Sequence, residues 1–151
     1  MSFYLAIKFL HIMLAIVAVG LNVSYGIWIA RAAREPEHLS HTLRGVKFLD
    51  DRLANPAYAL LLVTGIAMVL LGSLPLTTFW IDAALVFYLI AVVLGLGFYT
   101  PTLRDQIRVL EAQGADSPAY RRLATRGSVI GILTAIPVVL ILLLMVFKPT
   151  L

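Results

Sequence analysis

Four long apolar runs constrain this 151-residue chain more than any other feature. They cover about residues 3–30, 56–74, 79–103 and 128–147. A hydrocarbon layer about 30 Å thick is crossed by roughly 20 helical residues. Within lipid, each backbone N–H and C=O needs a partner inside its own segment, so each run reads as a helix. The expected fold is all-α: a polytopic membrane protein with a single domain over residues 1–151, built as an up-down-up-down four-helix bundle. Composition agrees, since 61% of residues are hydrophobic, only 13% are charged and the mean hydropathy is +0.95. The first run does not read as a cleaved signal peptide. It lacks a basic leading region, it is too long, and no A-x-A-type site interrupts it before Arg31. The chain has no cysteine, which excludes disulfides, thiolate nucleophiles and cysteine-held zinc or iron–sulfur clusters.

The basic residues give an orientation. Arg31, Arg34, Arg44, Lys47 and Arg52 lie between runs one and two. Arg104, Arg108, Arg121, Arg122 and Arg126 lie between runs three and four, and "GSLPLTT" between runs two and three has none. Short basic loops stay in the cytoplasm. Both termini are therefore expected outside, in the periplasm for a bacterial inner membrane. The net charge of +4 follows from this bias. It points to contact with anionic lipid, and no basic–aromatic cluster suggests nucleic acid.

The cytoplasmic segments carry helical periodicity. Leu39, Leu43, Val46, Leu49 and Leu53 recur at three- and four-residue steps, and Leu103, Ile107 and Leu110 extend run three. "REPEHLS" and "GADSP" break the chain, with Asp116 or Ser117 as cap and Pro118 in the next first turn. Pro56, Pro101 and Pro137 each remove a helical hydrogen bond, so kinks or turn ends are expected there. Gly127 with Gly131, and Gly20 with Ser24, permit close helix approach, which suits packing within the chain better than dimerisation.

The first run also carries polar groups. At 100° per residue, Tyr4, Lys8, His11, Ala15, Ala18, Asn22, Tyr25 and Gly26 share one face, which is expected to look into the bundle. Ionisable residues inside a span mark a candidate site. Lys8, His11, Asp82 and Lys148, with Tyr4 and Trp80, are placed in one outer-leaflet cluster, and Asn22 and Tyr25 lie deeper. His11 and Asn22 are eleven residues apart, roughly 16 Å along a helix, which suits two ends of one large flat molecule. Structural roles compete for the same residues. Lys8 can snorkel, Lys8 and Asp82 can pair, and Asp82, after Thr77 and Thr78, can complement a helix dipole. Trp28, Trp80 and Tyr4 suit an interfacial belt. His38 and His41, beside Glu35 and Glu37, have a spacing that can hold a divalent metal, and Asp50-Asp51-Arg52 reads as a solvated helix face. No phosphate loop, serine elbow or zinc-protease motif is present.

"IKFLHI", "LDDRLANPAYALLLVTGIAMVL", "FYTPTLRDQI" and "YRRLATRGSVIGIL…LLLMVFKP" together resemble an uncharacterised family of small bacterial predicted integral membrane proteins, along almost the full chain. A more distant likeness runs to the HemJ family of membrane-bound protoporphyrinogen oxidases and to copper-resistance D-type proteins. It rests on Lys8-x-x-His11 and the terminal Lys148-Pro149. That likeness implies b-type haem, porphyrinogen chemistry and a functional role for His11. The chain departs from it at "WIDAAL", where Ala84 stands in the place of an essential lysine. His11 alone can still supply one axial ligand to haem, with Lys8 or Met68 as unusual second ligands.

The leading expectation is a membrane protein with a polar inter-helical pocket near the outer leaflet, holding haem or another amphipathic molecule. His11 is its ligand or proton carrier and its metal-binding group. Lys8 and Asp82 set the charge, while Asn22 and Tyr25 bind a polar tail. A b-haem oxidoreductase, a small ion or metal carrier, and an accessory subunit of a homo-oligomer or larger membrane complex are the alternatives.

Overall fold

The computed structural model describes residues 3–73, 75 and 78–149. They form four long helical rods. Helix α1 (Phe3–Ala32) is the first. Helix α2 (Pro36–Leu49) passes through a π-helical turn (Asp50–Ala54) into α3 (Asn55–Leu71), and α4 (Phe79–Val92) passes through a π-helical stretch (Val93–Tyr99) into α5 (Thr100–Gln113). Helix α6 (Pro118–Phe147) completes the set. Each rod is long and apolar enough to cross a membrane, and no strand occurs among the described residues. The all-α polytopic expectation is met.

The breaks and caps follow from local chemistry. The Ser117 hydroxyl accepts from the Tyr120 N–H at 3.2 Å and Pro118 opens α6, so Ser117 is the cap. Gly114, at φ +80°, ends α5 in a backbone conformation that a side chain would strain. Thr77, expected near the start of the third span, lies outside the described residues.

Pro56 and Pro101 widen their rods. A proline ring crowds the carbonyl four residues back, which is Arg52 for Pro56 and Gly97 for Pro101. Both carbonyls fall inside the π-helical segments. There the N–H groups of Asn55 and Thr100 reach five residues back, to Asp50 and Gly95. One extra residue per turn gives the ring its room without ending the rod. Pro137 is buried within α6, which continues through it.

Helix α1 packs chiefly on α3, and α4 on α6; α2 and α5 meet beyond them, on the side that carries the basic connections. Packing differs between the two ends. On the basic side Leu39, Leu43, Val46, Leu103, Leu110 and Tyr120 close a conventional apolar core. Within the spans many of the buried positions are small or polar, among them Ala18, Ala57, Thr64, Ala84 and Ala91, with Val69, Ile81 and Ile130 as larger buried residues, while Phe9, Val23, Leu70 and Val93 point outward. Lipid solvates a leucine as well as a protein interior does, so close backbone approach decides what faces inward. Gly127 lies against Gln106 and Thr102, and Gly131 against Tyr99, so this glycine pair serves packing within the chain.

Candidate functional site

Spacing sets which face of α1 turns inward. Burial falls on Tyr4, Ile7, His11, Leu14, Ala18, Leu21, Tyr25, Ile29 and Ala32, each partly or fully covered. These recur at three- and four-residue steps, the seam of a packed helix. His11, Ala18 and Tyr25 belong to it as expected from the sequence. Lys8, Asn22 and Gly26 are exposed and lie along its flank.

His11, on the terminal side, is held by a hydrogen-bonded contact to α3. Its Nδ1 is 2.7 Å from the Thr64 hydroxyl. That hydroxyl has one proton, and it points to the Leu60 carbonyl at 2.7 Å, with the Leu61 carbonyl at 3.2 Å. With the proton so directed, the threonine oxygen would act as acceptor and the imidazole would donate from Nδ1. In that tautomer the Nε2 lone pair is free. The ring lies over Gly65, where an added Cβ would stand 3.4 Å from its Cε1. Thr64 and Gly65, which sequence reading did not single out, fix the tautomer and make room for the ring.

The outer cluster does not assemble as expected. Lys8 and Asp82 are both exposed, and among the described residues no ion pair joins them. Lys148 sits over the Trp80 ring at 5.5 Å. Arg31 lies over Trp28 at 5.9 Å on the basic side, so the two tryptophans mark two interfacial belts. Ala84 is 4% exposed and presents only a methyl group to the interior. His38 faces Glu35 and Glu37 from the surface at 4.0 and 3.6 Å. Among the described residues no three His, Cys, Asp or Glu gather as a metal site would require.

Polar groups continue toward the basic side. The Asn22 amide donates to the Ala18 carbonyl at 3.0 Å and to the Tyr58 hydroxyl at 2.7 Å. The Tyr88 hydroxyl donates to the Tyr58 carbonyl at 2.9 Å and ties α4 to α3. Asp50 departs from its expected place on a solvated face. It is 4% exposed and accepts from the Thr100 hydroxyl at 3.0 Å and the Asn55 amide at 3.3 Å. The signal was in the sequence. Residues 39, 43, 46 and 50 share one helix face, so the spacing that buries Leu39, Leu43 and Val46 also buries Asp50. The π-helical turn then shifts the register, and Leu53 rotates outward.

A groove of about 510 Å³ lies away from these groups, between the π-helical stretch before α5 and helix α6. Leu94, Phe98, Val129 and Ile130 line it, with Arg122 and Arg126 at its rim.

The chain belongs to the DUF2269 family of predicted integral membrane proteins, whose model matches residues 5–149. No curated protein and no solved structure matches it.

Proposed function

We propose, starting from membership of a family described only as predicted integral membrane proteins, that this protein binds an amphipathic, membrane-soluble molecule along the flank of α1. The supporting observation is the His11–Thr64–Leu60 relay, which leaves a neutral imidazole with a free Nε2 lone pair inside an apolar span. Such a nitrogen ligates haem iron or accepts a hydrogen bond from a quinol-type hydroxyl. Asn22, exposed within the same span, offers its amide oxygen to the far end of the same molecule; Lys8 and Asp82 meet charged groups at the terminal-side surface. Tyr25 is buried behind Asn22 and stays inside the bundle.

Haem, if bound, would be held through the His11 imidazole, whose nitrogen can ligate iron. Lys8 shares a helix face with His11 three residues away, which leaves no room for a flat ring between them. As a metal-binding group His11 therefore acts through a porphyrin and not through a cage of side chains. In this reading the protein is a binding component of a bacterial inner membrane, with both termini outside and the basic side in the cytoplasm, as the loop charges favour. There the Arg122 and Arg126 groove meets anionic lipid.

The test compares wild-type protein and His11→Ala purified in mild detergent from haem-supplemented cells. Absorbance is recorded before and after dithionite, and lipid extracts are analysed by mass spectrometry. The expected result is a chromophore or a lipid-soluble compound retained by wild type and missing from a folded His11→Ala protein. Identical extracts and spectra from the two would remove the reading.

A further inference from the structure

The groove between the π-helical stretch and α6 has a charged end and an apolar end. Arg122 and Arg126 stand about one turn apart on α6, and both line it. Val129 and Leu133 carry the lining onward along the same helix, and Leu94 and Phe98 face it from the π-helical stretch. From Arg122 to Leu133 is eleven residues, roughly 16 Å along the helix axis. That axis runs from the basic connection into the fourth apolar run, so the charge lies at the membrane surface and the apolar walls lie within the span. A volume of about 510 Å³ is the size that takes one ligand molecule.

The two arginines have no anion of their own. No acidic residue lines the groove. Among the described residues Arg121 pairs with Asp116 and Arg108 with Asp105, but neither Arg122 nor Arg126 joins an ion pair. Arg34, Arg52 and Arg104 join none either, yet none of them lines the groove. Thr125, beside Arg126, gives its proton to the Arg121 carbonyl at 3.0 Å, which leaves the guanidinium groups as the donors. A guanidinium holds a phosphate by paired, charge-assisted hydrogen bonds. A headgroup that also carried an ammonium would bring a like charge against both arginines, so the charges favour a headgroup that is anionic overall. The apolar walls ask for a hydrocarbon chain on the same molecule.

We propose that this groove binds one anionic phospholipid, with its phosphate between Arg122 and Arg126 and one acyl chain against Val129, Leu133, Leu94 and Phe98. The general contact of the basic side with anionic lipid thereby becomes a single site. It draws on the proposed orientation only for the leaflet it faces. It uses other residues and another ligand than the His11 reading, so either can fail alone.

The experiment is native mass spectrometry of the full chain in mild detergent, titrated with phosphatidylglycerol or with phosphatidylcholine of the same chains. Wild type should retain one phosphatidylglycerol and hold phosphatidylcholine much more weakly. Arg122→Gln combined with Arg126→Gln should weaken the one-lipid adduct roughly 30-fold, about five-fold for each cation near the phosphate, squared. Arg34→Gln combined with Arg52→Gln removes the same charge away from the groove and should leave the adduct unchanged. Val129→Trp fills the groove without altering its charge, and the half-exposed position should let the protein fold. The adduct should then weaken roughly ten-fold, the contribution of about two methylene groups. Equal adducts with the two lipids would overturn the site, as would equal losses in the two double variants or wild-type binding by Val129→Trp. Complete displacement of the lipid by inorganic phosphate would give the arginines a free anion instead. A dimer in place of the lipid adduct, lost in the Arg122 and Arg126 double variant, would give the groove to a second copy of the chain. Either result equally overturns the lipid site.

Discussion

The two ends of this molecule are packed by opposite rules. On the basic side, water surrounds the rods, and burial follows hydrophobicity: Leu39, Leu43, Leu103 and Leu110 go in while Arg44, Arg104 and Arg108 stay out. Within the spans, lipid surrounds them, and most of the large apolar residues face outward, Val69, Ile81 and Ile130 excepted. Ala18, Ala84, Thr64 and the half-buried His11 take the inside. The lesson is that an inward polar residue is expensive at one end and natural at the other. Asp50 sits at the border, on a leucine face that runs into a span.

The sharpest test of this contrast is one substitution made at both ends. Leu43→Ala, at a site with 0% exposure, should cost about 2–5 kcal/mol. Leu60→Ala, on the lipid-facing side of α3, should change stability by no more than roughly 0.5 kcal/mol. Reversible unfolding in detergent reads both; similar losses would erase the distinction.

Overpacking comes next. Gly65→Ala places its methyl at the edge of van der Waals contact with His11, whereas Gly65→Val forces the ring away and should cost about 1–3 kcal/mol. Ligand retention should fall in the valine variant and persist in the alanine one. Thr64→Val removes the acceptor for His11 Nδ1 at a cost of about 1 kcal/mol. It should leave the ring as a mixture of two tautomers in a nitrogen-15 spectrum.

The smallest effect belongs to the surface. Arg44 donates to Glu111 at 2.7 Å, helped by Ser40 at 3.1 Å, and ties α2 to α5. The Arg44 hydrogen bond holds the Glu111 carboxyl below its ordinary range. A carboxyl depressed by folding adds stability above its unfolded value and loses it as pH falls through the folded one. Hydrogen exchange in the facing turns of α2 and α5 should therefore quicken slightly on acidification below the usual carboxylate range. In Glu111→Gln that acid response should be absent.

How legible was all this in sequence? The four rods were, because lipid allows few alternatives to an apolar helix. The Leu39–Leu43–Val46 face was too, since water enforces its period. The exact inward face of α1 was not. In a helix apolar all round, polar residues alone suggested the face, and they pulled it toward Lys8 and Asn22, which are flanking. Asp50 was hidden by its neighbours, because Asp51 and Arg52 are exposed and made the triplet look solvated. Thr64 and Gly65 carry no signal of their own. They matter through His11, 53 residues away from Thr64 in the chain, and only packing shows that.

The most direct test of the central claim is the protonation of the His11 ring. The measurement is a nitrogen-15 spectrum of histidine-labelled protein at about pH 8, with His11 assigned by its loss in His11→Ala. The account predicts a single neutral tautomer with the proton on Nδ1 and a bare Nε2. A proton on Nε2 would mean that Thr64 gives its hydrogen to the ring, that no lone pair is free, and that the binding role of His11 is wrong.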